Sequence, residues 1–175
     1  MKALAVAVFK TRRVKGEVIA SRHPTRKNAV SLRVHFTQLP PGDHGFHIHK
    51  AGDLRGKGCK GACDHYHVGS PQSHGGSPME GNGPKGTKGT KGTRGARGAR
   101  GTANRHTGDL GNIRGPSYKR TYTIPSVHID DLWGRSLIVH ADPDDLGHGS
   151  HADSSTTGHS GKRIACAIFG RGCLR

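Results

Sequence analysis

The sequence predicts an all-β domain, folded as a β-sandwich or a β-barrel. Short segments rich in Val, Ile, Thr and aromatic residues recur along the chain and are separated by turn residues. No segment carries apolar residues at a sustained helical period. With 175 residues, the chain has the length of one ordinary domain with its own core. We therefore expect residues 1–175 to form a single domain.

The first half of the chain carries four predicted strands. They cover residues 2–9, Val14–Ser21, Ala29–Leu39 and Gly45–His49. The third is the clearest, because apolar and polar residues alternate from Val30 to Phe36, as in a strand with one buried face. Pro, Gly and Asp at positions 40–43 predict the turn that precedes the fourth strand.

Strand signals are nearly absent from about residue 51 to about residue 120 and then resume. The later predicted strands are Tyr118–Ile124, Ser126–Ile129, Ser136–His140 and Ile164–Phe169. A polar stretch from Asp142 to Lys162 separates the last two. Loops this long in a compact domain are usually functional or disordered, so a functional site is expected near them.

The charge balance is strongly basic, with a formal net charge of +16. Such a charge predicts attraction to anions, whether small ions, nucleic acid or an anionic surface. No apolar stretch is long enough to span a membrane. The apolar start is short and is followed by Lys10, Arg12 and Arg13, so we interpret it as a first strand rather than a signal peptide and expect a cytoplasmic protein.

Residues 81–103 form a segment with a three-residue repeat. Glycine recurs at every third position from Gly83 to Gly101, and a Lys or Arg precedes the next glycine each time, from Lys85 to Arg100. This is the Gly-X-Y period of collagen, but only Pro84 supplies the proline that stiffens such chains. We interpret the segment as a collagen-like, cationic insertion that is solvated and disordered.

Histidine suggests a metal site, since the chain has 14 histidines and imidazole is the commonest protein ligand for metals. His47 and His49 would lie on one face of a strand, where side chains repeat every two residues. That pair alone is a weak signal, because His65 and His67 form a second H-x-H and such pairs are often surface histidines.

An ordered set of motifs strengthens the signal. In chain order it comprises Gly45–His49, Gly52-Asp53, Cys59, His65, His74-Gly75-Gly76, Arg105–Asn112, Gly134–His140, Asp144–Gly147 and Thr157–Cys166. In these motifs the chain resembles the copper–zinc superoxide dismutases, from the first strand to about Gly170 with the insertion excepted. The resemblance implies a Greek-key sandwich or barrel of about eight antiparallel strands, with long metal-binding and electrostatic loops.

The resemblance also implies a role for each matching residue. The copper ligands would be His47, His49, His65 and His140, and the zinc ligands would be His65, His74, His106 and Asp109. His65 would bridge the metals, Asp144 would tie a copper ligand to a zinc ligand, and Arg163 would hold the anionic substrate. Cys59 and Cys166 would form the disulfide. The implied reaction is dismutation of superoxide to dioxygen and hydrogen peroxide by copper cycling between Cu(II) and Cu(I).

Several positions depart from this pattern. His67 is a second candidate for the bridging histidine, although His65 fits better by its spacing from Cys59. Ala51 and Arg171 stand where the family often has apolar dimer contacts, so a weaker dimer or a monomer is the alternative to the homodimer that the resemblance implies. Cys63 and Cys173 have no clear partner in the family. We interpret His23, His35, His44, His128, His148, His151 and His159 as surface or structural residues.

The insertion lies between the zinc ligands His74 and His106, so an intact collagen rod and a zinc site would be nearly exclusive. We expect zinc binding with a disordered loop. One alternative function is a polyanion-binding or multimerising protein that uses residues 85–100, and another is metal storage or copper transfer, which would not need Arg163. A Gly-X-Y segment in such a chain is similar to proteins of large DNA viruses, which implies host cytoplasm or virion.

Overall fold

The fold is an all-β arrangement of two antiparallel sheets, as the sequence predicts. In this computed structural model of the chain, the structure describes residues 4–69, 73–75 and 105–173. Nine strands, the short α-helices α1 (Ile129–Leu132) and α2 (Ser154–Thr157), and a 3-10 helical loop at Lys57–Ala62 lie within these ranges. The predicted insertion over residues 81–103 lies outside the described residues. Within the described residues, no helix has both the length and the apolar character needed to cross a membrane.

The first sheet has five strands in the order β6-β3-β2-β1-β9. Their bounds are Leu4–Lys10 for β1, Lys15–Arg22 for β2, Ala29–Gln38 for β3, Tyr118–Pro125 for β6 and Gly170–Gly172 for β9. The apolar start of the chain forms β1 and pairs with both β2 and β9. The alternation predicted for β3 is present, since Val30, Leu32, Val34 and Phe36 are buried while Arg33 and the other intervening residues are not.

The second sheet has four strands in the order β5-β4-β7-β8 and positions the functional site. Their bounds are Asp43–His49 for β4, Asp109–Arg114 for β5, Ser136–His140 for β7 and Arg163–Ile168 for β8. β4 pairs with both β5 and β7: Asp109 at the start of β5 lies opposite His47, and Val139, next to the last residue of β7, lies opposite Phe46 in the middle of β4.

The core fills the space between the two sheets. Phe36 from the first sheet contacts Phe9 and Phe46, with ring centroids 5.2 and 5.6 Å away. All three side chains are fully buried, and burial of one such side chain contributes about 1.5–3 kcal/mol. The aromatic cluster therefore joins the sheet that carries the site to the sheet that does not.

Two sequence-based assignments were wrong. Strand β5 lies in the region where strand signals were nearly absent, and the predicted strand Ser126–Ile129 does not form. Ser126 instead adopts a left-handed φ of 59° and donates its backbone N–H to Asn28, and helix α1 begins at Ile129. Val127 and Ile129 are both buried and lie two positions apart, so this turn has the apolar spacing that is typical of a strand.

Candidate metal centre

Four buried histidines converge beside the two central strands of the second sheet. The ligand atoms of His47, His49, His65 and His140 lie within 4.8 Å of one another. His47 and His49 come from β4, and His140 ends the neighbouring β7. An isolated bridge between His49 and His65 brings the fourth imidazole to the same place. These are the residues that the sequence predicts as copper ligands.

Hydrogen bonds fix the orientation of three of these rings. His49 Nδ1 donates to the Cys63 carbonyl at 2.8 Å, and His140 Nδ1 donates to the Gly161 carbonyl at 3.2 Å. His47 Nε2 lies 2.8 Å from Asp144 Oδ2. A partner on one ring nitrogen determines which nitrogen is left as a lone pair.

The opposite nitrogens of the same rings have no protein partner. His47 Nδ1, His49 Nε2 and His140 Nε2 are buried without a hydrogen bond among the described residues. Buried polar atoms are nearly always hydrogen-bonded, so three orphaned nitrogens in one group need another explanation. A metal ion bound by imidazole provides it, and imidazole suits copper.

Burial keeps three of these imidazoles neutral, which is the form that binds a metal. Desolvation, assisted by the neighbouring His47, lowers the pKa of His65 to about 3. Desolvation also lowers the pKa of His140 well below its ordinary value, and that of His49 in the same direction. His49, His65 and His140 are therefore ready to bind a cation across the physiological pH range.

A second group shares His65 and adds a carboxylate. His65 Nδ1 and His74 Nδ1 lie 2.8 and 3.1 Å from Asp109 Oδ1, and His106 Nδ1 lies 3.5 Å from Asp109 Oδ2. Three imidazole nitrogens and one carboxylate oxygen form an N/O set that zinc accepts. These are the predicted zinc ligands.

Asp109 is held as a carboxylate at the centre of this second group. Burial would raise its pKa, but hydrogen bonds with His106, His65 and His74 outweigh burial and hold the pKa well below its ordinary value. The backbone N–H groups of Gly75 and His106 also donate to Asp109 Oδ2, at 3.0 and 3.2 Å. Asp109 is thus oriented from both sides of the inserted stretch.

Asp144 connects the two groups. Its Oδ2 lies 2.8 Å from His47 Nε2, and its Oδ1 lies 2.7 Å from His74 Nε2. The Asn112 side chain fixes the Asp144 backbone by bonding both its carbonyl and its N–H. Burial would lower the pKa of His74, but hydrogen bonds to Asp109 and Asp144 raise it to about 9. The predicted connecting carboxylate therefore contacts one histidine of each group.

A cleft of about 710 Å³ leads to the four-histidine group. His49, His65 and His140 line it together with Arg163, the predicted substrate-binding residue. Arg163 is held by two carbonyls, with Nη1 donating to Cys59 at 2.8 Å and Nη2 donating to Cys63 at 2.7 Å. The predicted disulfide between Cys59 and Cys166 is present.

Sequence reasoning missed two contributors to the site. The Cys63 carbonyl accepts from both His49 and Arg163, although the Cys63 thiol is exposed and free. His44, interpreted only as a surface or structural residue, is buried against the backbone carbonyls of His140 and Ala141. A backbone carbonyl carries no signal in the residue type, so nothing in the sequence could have identified Cys63. His67 belongs to neither metal-binding group, although its ring lies 5.9 Å from that of His106.

Comparison with known proteins agrees with this geometry. The family model for copper/zinc superoxide dismutase matches residues 14–169. A superoxide dismutase [Cu-Zn] of Paramecium bursaria Chlorella virus 1 is 37% identical over 164 residues, which cover 90% of this chain and 73% of the relative. An extracellular superoxide dismutase [Cu-Zn] of Haemonchus contortus is 37% identical over 147 residues, which cover 81% of this chain and 67% of the relative. The fold is also similar to the crystal structure of the clock protein EA4, with a TM-score of 0.74 and 28% sequence identity. The match covers 97% of this chain and 94% of the EA4 chain.

Proposed function

We propose that this chain, which belongs to the copper/zinc superoxide dismutase family, converts two superoxide anions and two protons into dioxygen and hydrogen peroxide at its four-histidine group. Copper bound there would supply the electron transfer, since it alternates between Cu(II) and Cu(I), while zinc has no redox chemistry. The observation that carries the proposal is the set of orphaned nitrogens on His47, His49 and His140 beside the cleft.

Copper would be held by four imidazoles and zinc by the second group. We assign His47 Nδ1, His49 Nε2 and His140 Nε2 to copper, because the other nitrogen of each ring already has a partner. We assign the group of His65, His74, His106 and Asp109 to zinc, because it combines nitrogen ligands with a carboxylate.

His65 has a distinct role in this proposal, since it belongs to both groups. Its Nδ1 faces Asp109, so Nε2 is the nitrogen left for copper. Between two cations the ring can lose both protons, because bound metal ions favour the deprotonated form of a ligand. We assign to His65 Nε2 the uptake and return of one proton in each turnover.

Arg163 would bind and orient the substrate. Its guanidinium is permanently charged and forked, and it lines the same cleft as His49 and His140. The carbonyls of Cys59 and Cys63 fix its position, and the disulfide attaches that loop to β8. A fixed cation at the cleft attracts a small anion without reorganisation.

Metal reconstitution tests the proposal directly. The protein is stripped of metal with a chelator, reloaded with copper and zinc, and assayed for superoxide decay by pulse radiolysis. We expect decay to depend on bound copper, and Arg163→Ala to slow it by about tenfold or more with copper content unchanged, because a charge-assisted contact is lost. Arg163→Lys is the matched control that keeps the charge and loses the fork. Protein with copper in the four-histidine group and no effect on superoxide decay would refute the proposal.

A second candidate function is binding of a polyanion through residues 85–100. The repeated Lys and Arg of the Gly-X-Y period and the net charge of +16 support it. Deletion of residues 83–101 would then abolish salt-sensitive nucleic-acid binding and leave superoxide decay unchanged. Binding that survives the deletion would assign it to another part of the chain.

We further propose a homodimer in the cytoplasm, that of the host if the chain is viral. Arg171 would not supply an apolar contact to this dimer, because it is charged and its guanidinium lies 4.2 Å from the ring of Trp133 in its own chain. Sedimentation over a concentration series tests the dimer, and a monomer at every concentration would contradict it. Fractionation tests the compartment, and recovery from the medium would contradict the cytoplasm.

A further inference from the structure

A second concave surface lies apart from the metal-binding cleft. It has a volume of about 610 Å³, and none of its lining residues lines the cleft beside Arg163. Residues 22–30, which join β2 to β3, form one wall, and residues 127–130, which lead into α1, form the other. We call this surface the basic pocket. The cations that line it are Arg22, Arg26 and Lys27, with His23 and His128 beside them, and Asp130 is its one carboxylate.

The wall of the basic pocket is held in place by backbone contacts. His23 Nδ1 accepts from the N–H groups of Thr25 and Arg26, at 3.3 and 3.1 Å. The His23 N–H donates to the Ala29 carbonyl at 2.9 Å, and the Ser126 N–H donates to the Asn28 carbonyl at 2.7 Å. The turn is therefore tied to itself and to the opposite wall, so its cations project from a fixed frame.

The three long cations of the basic pocket have no acidic partner. In the described part of the chain, no carboxylate lies within 4.0 Å of the charged nitrogens of Arg22, Arg26 or Lys27, whereas Arg55 and Arg114 each have one. Like charges placed together without a counter-ion repel one another and raise the local positive potential. An anion bound in the pocket would relieve this repulsion.

Positive charge continues from the pocket along the adjoining sheet. Arg33 is exposed on β3, and further along the strand exposed His35 lies opposite exposed Lys119 of β6. His35 is five positions beyond Val30 at the pocket, which is about 16 Å of strand. Glu17 of β2 lies on the other side of His35 and ends the row. The positive surface is thus longer than one phosphate group and fits a chain of them.

We propose that the basic pocket and this row bind the phosphate backbone of nucleic acid. The side chains that line the pocket include no Phe, Tyr or Trp, so it offers no aromatic platform on which a base could stack. Contacts to phosphate alone position a nucleic acid without reading its sequence. This site shares no residue with the dismutase centre or with residues 85–100.

Charge removal in the full-length protein tests the proposal. The pocket variant combines Arg22→Gln, Arg26→Gln and Lys27→Gln. The matched control combines Lys10→Gln, Arg12→Gln and Arg13→Gln, which removes the same charge from exposed positions near the opposite end of β2, about 26 Å away. The probe is a fluorescent DNA duplex of about 20 base pairs, titrated between about 50 and 200 mM salt.

We expect the pocket variant to bind the duplex more than about tenfold more weakly at low salt and to lower the slope of log K against log salt by about 2.7, for three lost phosphate contacts. The control should lower neither the affinity nor the slope by as much. Equal losses in the two variants would show that net charge alone causes the effect, which would overturn the proposal. No loss in either variant would also overturn it. Displacement of the duplex by inorganic phosphate at matched ionic strength would show a small-anion site instead. Superoxide decay should be unchanged in both variants, which confirms that they fold.

Discussion

At the scale of the residue, Asp144 shows how one side chain can orient two groups of potential metal ligands. It is buried, and its two oxygens face His47 of the first group and His74 of the second. In the proposed function each of these rings presents its opposite nitrogen to a metal, so Asp144 would set the tautomer of both. No carboxylate in the described part of the chain other than Asp144 joins the two groups in this way.

Asp144→Asn should weaken metal binding without removing a ligand. The amide group offers one acceptor oxygen, so one of the two histidines would face an N–H donor and lose its orientation. We expect zinc affinity to fall about 10- to 100-fold, measured by competition with a chelator of known affinity. Asp142→Asn is the control, because Asp142 is exposed and contacts neither group. Unchanged affinity in both variants would remove Asp144 from the control of the site.

His44 is a second residue that acts through others. Its Nδ1 lies 2.9 Å from the carbonyl of His140, and its Nε2 lies 3.1 Å from the carbonyl of Pro40. From within β4 it thereby connects the backbone at a predicted copper ligand to the turn that precedes the strand.

His44→Ala should destabilise the metal-free protein, because a buried backbone carbonyl then loses the His44 N–H as its donor. The expected loss is about 1–3 kcal/mol in the free energy of unfolding, measured by denaturant titration. Copper affinity should fall in parallel, since His140 loses an anchor. The exposed His35→Ala is the control and should change neither quantity. Full copper affinity in a destabilised His44→Ala protein would show that the residue serves the fold alone.

At the scale of the element, sequence patterns predicted strands where one face is buried and failed where polar ligands interrupt the pattern. β3 alternates from Val30 to Phe36 and was predicted with nearly its observed bounds. β5 begins at Asp109 and includes Gly111 with a φ of 75°, so a buried carboxylate and a glycine stand where apolar residues would signal a strand. The structure brings the predicted ligand sets together, whereas the carbonyl of Cys63 could be found only in three dimensions.

The disulfide between Cys59 and Cys166 attaches the loop at Lys57–Ala62 to β8. Since Arg163 begins β8 and donates to the carbonyls of Cys59 and Cys63, the covalent link and the guanidinium hold the same loop. The bond joins residues 107 positions apart, so it restrains most of the chain.

Replacement of Cys59 and Cys166 by Ser should lower both stability and activity. We expect a loss of about 2–5 kcal/mol in the free energy of unfolding and slower superoxide decay per bound copper, since Arg163 would lose its fixed carbonyls. Cys173→Ser is the control, because Cys173 is free and exposed. If decay per copper were unchanged in the double variant, the loop would position Arg163 without the disulfide.

At the scale of the whole molecule, the ligands on either side of the inserted stretch meet. The rings of His74 and His106 have centroids 6.1 Å apart, and both face Asp109. The chain therefore returns to the same carboxylate after the inserted stretch.

The charge of the whole molecule attracts superoxide, but the cleft carries both signs. Lys50 and Arg163 line it together with Asp64 and Asp153, and Lys50 lies 3.8 Å from Asp64. Asp153 is half exposed and hydrogen-bonds His159 at the lip of the cleft. A carboxylate at this position repels an approaching anion, so a net charge of +16 does not ensure that the cleft is the most attractive part of the surface.

Asp153→Asn should therefore speed the encounter with superoxide. A unit charge about 10 Å from the anion in water changes its energy by about 0.4 kcal/mol, so kcat/KM should rise roughly twofold at low salt. The gain should vanish near 1 M salt, where the Debye length is about 3 Å. Asp43→Asn makes the same charge change outside the cleft and should leave kcat/KM nearly unchanged. Equal gains in the two variants would mean that net charge steers the substrate, and a gain confined to Asp153→Asn would place the steering in the cleft.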